Sequence, residues 1–158
     1  MSAYFVLKFV HVIGAAVLLG AGAGIAFFLL MAHRTGDARV IAAVARIVVL
    51  ADLLFTATAV VAQPISGYLL AREAGYGLTE GWIALSLCLY VLTGIFWLPV
   101  VWMQMRMRAL AQAAADAGQP LPAPYHRLFR LWFWFGIPAF TAVLAIVWLM
   151  ITRPQIAL

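Results

Sequence analysis

The sequence predicts an all-α polytopic membrane protein, an antiparallel bundle of four transmembrane helices. Three observations carry this. First, the chain of 158 residues is 67% hydrophobic and only 9% charged, whereas a soluble domain is roughly half apolar and about a quarter charged. Second, residues 9–32 hold one His and no charged side chain, residues 81–105 and 131–152 hold no charge at all, and residues 40–71 are broken only by Arg46 and Asp52. Each run exceeds the ~20 residues that cross a ~30 Å hydrocarbon core. Third, the segments between them are short, which favours up-and-down packing of neighbouring helices.

The first span is expected at about 4–32, closed by HRTGDA (33–38), which has turn chemistry at its centre. It is too long for a signal-peptide core, and its first charge is Lys8. The second is expected at about 39–70. Such a helix would reach about 48 Å at ~1.5 Å per residue, so it tilts strongly or changes direction, with Pro64 the natural place. Proline has no N–H to give, which frees the carbonyl of Val60; that carbonyl must then face protein or a polar cavity rather than lipid. REAGYGLTEG (72–81) is a Gly-rich connection to a third span at about 82–107. AQAAADAGQPLPAPY (111–125) is read as the longest connection, leading to a fourth span at about 127–152. The whole chain is one integral membrane domain, 1–158.

The formal charge is +5 and the pI about 10.0. The basic residues flank apolar spans, so they are read through the positive-inside rule and not as a nucleic-acid surface. Seven of the ten, Arg34, Arg39, Arg46, Arg106, Arg108, Arg127 and Arg130, surround the first and third loops. Those loops are expected in the cytoplasm, with both termini and the second loop outside. The single cysteine, Cys88, excludes an internal disulfide and a cysteine zinc site, and is expected as a small core residue. Trp102, Trp132 and Trp134 are expected as interfacial anchors on the cytoplasmic side.

At 100° per residue each helix presents one semi-polar stripe. On the first these are His11, Gly14, Ala15, Leu18 and Gly22, with Lys8 at the edge; Gly20 and Gly24 lie opposite as a small-residue packing surface. The second carries Asp52, Thr56, Ala59, Gln63 and Ser66. The third carries Ser86, Tyr90, Thr93, Trp97, Gln104 and Arg108, and the fourth Arg130, Trp134, Thr141, Ala145 and Trp148. Lipid cannot host such stripes, so they are expected to converge on a polar interior. By depth, His11, Gln63, Ser86, Tyr90 and Trp148 form an outer-leaflet group. Asp52 lies deeper with Trp97 as neighbour, and Gln104 deeper still.

Ionisable side chains inside a membrane mark function by default. His11 fits two roles, a ligand to haem iron or another metal, or a bundle histidine hydrogen-bonded to Gln63 or Tyr90. His33 and His126 lie at the other end of the bundle and cannot pair with it. Lys8 either reaches the headgroups or anchors a carboxylate such as a porphyrin propionate. Asp52 pairs with Arg46 or Arg130, hydrogen-bonds to Trp97 or Thr56, or relays protons. No phosphate loop, zincin motif or nucleophile elbow is present.

The segments KFVHVIGAAVLLGAG, MAHRTGD, VVLADLLFTATAVVAQPISGYLL, WLPVVWMQMRMR and WFWFGIPAFTAVLAIVWLM resemble a bacterial family of predicted integral membrane proteins, domain-of-unknown-function family 2269 (DUF2269). The resemblance implies a multi-pass protein of the bacterial cytoplasmic (inner) membrane. The Lys8-x-x-His11 pattern is also loosely similar to HemJ-type protoporphyrinogen oxidases and to the membrane domain of CopD-type copper-resistance proteins. That likeness implies b-type haem or porphyrin chemistry at His11 alone. A lysine that HemJ-type proteins carry early in the third helix is absent here, with Ser86 at about that place.

The leading expectation is therefore a small membrane protein that binds haem b or a related redox centre in an outer-leaflet pocket. His11 would be the axial ligand, with Lys8, Gln63, Tyr90 and Trp148 around it and Asp52 relaying protons. Electron transfer with a quinone or porphyrin partner would follow. The alternatives are a transporter or channel-like protein for a small solute or metal ion, working as a homo-oligomer, and an accessory subunit of a larger membrane complex.

Overall fold

The computed structural model describes residues 3–156, and four long helices account for nearly all of them: α1 (Ala3–Thr35), α2 (Ala38–Glu73), α3 (Gly81–Asp116) and α4 (Ala123–Thr152). All four are long and apolar enough to cross a membrane. Gly36, with φ +68°, turns the chain after α1, and the Asp37 carboxylate caps α2 by accepting from the Arg39 and Val40 amides at 2.7 and 3.4 Å. Gly75 (φ +78°) and Gly118 (φ +62°) stop α2 and α3 in the left-handed region that glycine enters without a Cβ penalty. Pro122 precedes α4, where a missing N–H is harmless.

One boundary differs from expectation. α3 runs on to Asp116, because the AQAAA stretch (111–115) consists of good helix formers. The connection to α4 is thus far shorter than 111–125. α2 spans Ala38–Glu73, close to the expected 39–70, and runs on as helix through Pro64. Its irregularity is a π-helical turn at Asp52–Thr56, where the Ala57 amide reaches back to the Asp52 carbonyl. The hydroxyl of Thr58 bonds the carbonyls of Leu54 at 2.6 Å and Phe55 at 3.0 Å, serving backbone that the wider turn loosens.

The two ends of the bundle pack differently. At the basic end, which carries the α1–α2 and α3–α4 loops, all four helices meet in a dry core. Leu29, Ile41, Met107, Ala111 and Tyr125 are completely buried there, with Phe129 and Trp132 beside them. The spacing 125, 129, 132 is the 4-3 rhythm of one helical face. Beyond Asp52 the bundle opens. The second half of α2, from Ala57 to Glu73, packs on α1, α3 packs along α4, and the two pairs draw apart. α1 and α4 touch only lightly. At the opposite end Arg153 leaves α4 with φ +43° and donates from Nη1 to the Tyr76 hydroxyl at 3.1 Å, lying over the rings of Tyr76 and Trp82.

The expected stripes converge for α2, where Asp52, Thr56, Ala59, Gln63 and Ser66 are all buried. On α4 they do not: Trp134 and Trp148 are each 67% exposed, Arg130 is exposed, and the buried face is Tyr125, Phe129, Trp132, Ala142 and Leu149. Trp132 is therefore a core residue and not an interfacial anchor. Arg108 and Cys88 also face outward, Cys88 contrary to its expected place in the core. Among the described residues Gly20 meets no side chain and Gly24 meets only Phe28 of its own helix, so the Gly20–Gly24 surface makes no close packing contact with another helix.

Candidate functional site: an intramembrane cavity above Asp52

Where the helix pairs separate they enclose a cavity of about 430 Å³, lined from all four helices. Small residues shape it: Ala15, Gly22 and Ala23 on α1, Gly94 on α3, Gly136 and Ala139 on α4. A Cβ built on Gly94 or Gly136 would meet nothing within 4 Å, so these positions face open space. Tyr90, Trp97, Trp132, Phe133 and Phe140 supply an aromatic wall. Several lining residues on both sides of the α1–α4 seam, Ala23 and Ala26 facing Phe133, Ile137 and Phe140, are exposed on the bundle surface. The cavity thus opens sideways at membrane depth along this seam, which Phe140 bridges at one point, 3.8 Å from the position of a Cβ on Gly22.

Polarity is gathered at the end next to the dry core. Asp52, only 4% exposed, sits about 21 Å along α2 from Ala38 at ~1.5 Å per residue. Trp97 Nε1 donates to its Oδ1 at 3.3 Å. Gln104 completes the set. The indole N–H of Trp132 lies 3.2 Å from one end of its amide, which must be the oxygen, and the nitrogen then donates to Asp52 Oδ2 at 3.2 Å. Both carboxyl oxygens thus face N–H donors. One helical turn on, Thr56 is 6% exposed, and its hydroxyl oxygen is buried without a hydrogen-bond partner. Among the described residues no Lys, Arg or His lines the cavity.

Nearer the opposite end, Tyr90 reaches across from α3 and donates to the Val60 carbonyl, the group that Pro64 leaves free. Sequence reasoning requires a polar partner for that carbonyl, and the partner is a side chain 30 residues away in the chain. Gln63 Nε2 donates to the His11 carbonyl at 2.8 Å, and its amide fills the space left by Gly14. Ser66 Oγ gives its proton to the Ala62 carbonyl at 2.7 Å, so His11 is the donor in the 3.0 Å bond between Nδ1 and that oxygen. The imidazole lies against Gly67, 3.0 Å from the position of a Cβ there. These bonds clamp α1 to α2.

Of the expected site residues, Asp52, Gln63 and Tyr90 do line one cavity. His11 backs onto Gln63 from the α1–α2 interface and is not in the lining. Lys8 is exposed, its ammonium 5.6 Å from the Tyr4 ring centre, and Trp148 faces away from the cavity. The outer-leaflet group expected from depth is therefore split. Gln104, expected apart from Asp52, bonds to it. Sequence reasoning finds Thr56 only as a stripe member and misses the Gln104–Trp132 link; the 4-3 spacing of Tyr125, Phe129 and Trp132 is the signal that could have found it. The lining contains no His, Cys or Met, and among the described residues no three His, Cys, Asp or Glu side chains gather as a metal site.

Near the basic end, His33 stacks on Phe129 with ring centres 3.5 Å apart and sits 3.3 Å from the Tyr125 hydroxyl, with His126 alongside. This group joins the ends of α1 and α4.

A search of curated proteins and a search of solved structures return no match. A family model described as a predicted integral membrane protein, DUF2269, matches residues 5–154, and the chain belongs to that family.

Proposed function

We propose that this DUF2269 protein binds a lipophilic small molecule within the membrane, its apolar body in the four-helix cavity and its polar end towards Asp52 and Thr56. One observation carries the proposal. The cavity is apolar almost throughout, opens sideways between α1 and α4, and keeps its unpartnered hydroxyl and its only carboxyl together at the closed end. A side opening at bilayer depth meets lipid-dissolved molecules, and pockets of this kind bind by apolar burial with a few polar groups fixing orientation. The dry core at the basic end supports binding over conduction, because Leu29, Ile41, Met107 and Tyr125 are fully buried where a path would run. Haem held by His11 is the weaker reading, since His11 stands outside the cavity. Following the arginine distribution, the basic end lies in the cytoplasm and the cavity in the outer half of a bacterial inner membrane.

A cavity-filling variant tests this. In Gly94→Leu the new side chain enters open space, and the helix gains about 1 kcal/mol in propensity by losing glycine. The protein in nanodiscs is irradiated with a diazirine-bearing long-chain alcohol, and labelled residues are mapped by mass spectrometry. Wild type should label on the cavity faces of α3 and α4, and Gly94→Leu should lose those labels while melting no lower. Equal labelling of both proteins overturns the proposal.

A further inference from the structure

The cavity's polar end holds a buried carboxyl with no basic side chain beside it among the described residues. Both oxygens of Asp52 accept hydrogen bonds, from Trp97 Nε1 and Gln104 Nε2, and the Thr56 hydroxyl beside the carboxyl is the acceptor left for its proton in the neutral form. Gln104 cannot turn its amide to offer an acceptor without placing its nitrogen against the Trp132 N–H. Two neutral hydrogen bonds do not replace the solvation that a carboxylate loses on leaving water; buried charges are paired. Yet among the described residues no basic side chain lines the cavity, and the titratable groups facing it are Asp52 and Tyr90, with none from α1 or α4. The lining thus supplies no positive charge to balance the carboxylate. The same cavity is walled by Trp97, Phe133 and Phe140, and the faces of aromatic rings attract organic cations. The free hydroxyl of Thr56 adds an acceptor one turn from the carboxylate.

From this geometry we infer that the ligand is a lipophilic organic cation, an amine or quaternary ammonium or phosphonium compound, which pairs with Asp52 inside the aromatic cavity in place of a proton. The inference rests on the binding function proposed above and names its ligand class. Charge balance is simple: one proton leaves Asp52 as one monovalent cation arrives. Affinity should therefore rise with pH until Asp52 is fully ionised.

The test is equilibrium dialysis of the detergent-solubilised protein with tetraphenylphosphonium and with tetraphenylborate, its anionic counterpart of the same shape. The phosphonium should bind at least tenfold more tightly than the borate, and more tightly as pH rises. Asp52→Asn, nearly the same size, should lose at least tenfold in phosphonium affinity and lose the pH dependence. Should that variant fail to fold, the pH series on wild type and the phosphonium–borate ratio decide alone. Trp132→Phe, which frees the Gln104 amide to turn, should weaken the phosphonium and keep the pH dependence. Equal binding of the two ions, or pH-independent binding by wild type, overturns the inference. Labelling by the neutral alcohol probe with no cation preference refutes the ligand class and leaves the cavity function standing. Absence of both refutes both.

Discussion

Replacing Tyr90 by Phe removes one hydroxyl and, by the geometry here, one hydrogen bond whose acceptor has nowhere else to turn. In an unbroken helix the amide of residue 64 would serve the Val60 carbonyl, but Pro64 has none, and Tyr90 supplies the missing donor. Hydrogen bonds between transmembrane helices average ~0.6 kcal/mol with a maximum near ~1.7, because most acceptors find substitutes. Leaving a buried polar group unsatisfied costs about 1–3 kcal/mol. Tyr90→Phe should therefore cost about 1.5 kcal/mol, near the top of the membrane range. For a chain of this size that lowers the thermal midpoint by about 3–6 °C. The deciding measurement is a double-mutant cycle with Pro64→Ala, followed by circular dichroism in detergent. Pro64→Ala restores the backbone donor, so Tyr90→Phe in that background should cost less than about 0.5 kcal/mol, giving a coupling of about 1 kcal/mol. An equal loss in both backgrounds would refute the reasoning, and Tyr90 would matter only through packing.

Three further outcomes are expected. Gly14→Ala should destabilise by about 1–3 kcal/mol through overpacking, because its Cβ collides with the Gln63 amide, while Gly20→Ala, which meets nothing, should leave the melt unchanged or slightly raised; reversal of that order would refute the α1–α2 packing. In a Cys88→Ser background, single cysteines at Gly36 and Gly118 should resist a membrane-impermeant maleimide on intact cells and one at Gly75 should react, and the opposite pattern would invert the topology. The purified protein, oxidised or dithionite-reduced, should show no Soret band; a band that disappears in His11→Ala would place haem on α1 and undo the case made from the cavity's donor set.

Much of the fold was legible because its signals are local. Hydrophobic run length places a helix in a bilayer whatever its neighbours do. Helical phase placed Asp52, Thr56, Gln63 and Ser66 on one face, and the absence of an N–H at Pro64 is a covalent fact with one consequence for Val60. The stripe on α4 misled for a physical reason. In lipid, Trp and Thr are tolerated on outward surfaces, so polarity marks the buried face poorly. The tight helix–helix face was instead drawn by shape, through Tyr125, Phe129 and Trp132. His11 stood out by its rarity, and its role as an α1–α2 clamp depended on Ser66 and Gly67 arriving opposite it. No feature of the apolar runs marked the π-helical turn at Asp52–Thr56.

The amino-acid sequence alone thus determined the class, the number of spans and the isolation of one acid within the hydrocarbon, since transfer into lipid is summed residue by residue along each helix. Only the tertiary structure decided that the helices pack tightly at the basic end and part above Asp52. It also decided that Trp97, Gln104 and Trp132, on two other helices, converge on that carboxyl. Those outcomes depend on how each helix is rotated and paired, which is set by complementary surfaces meeting across the bundle and is not contained in any one segment.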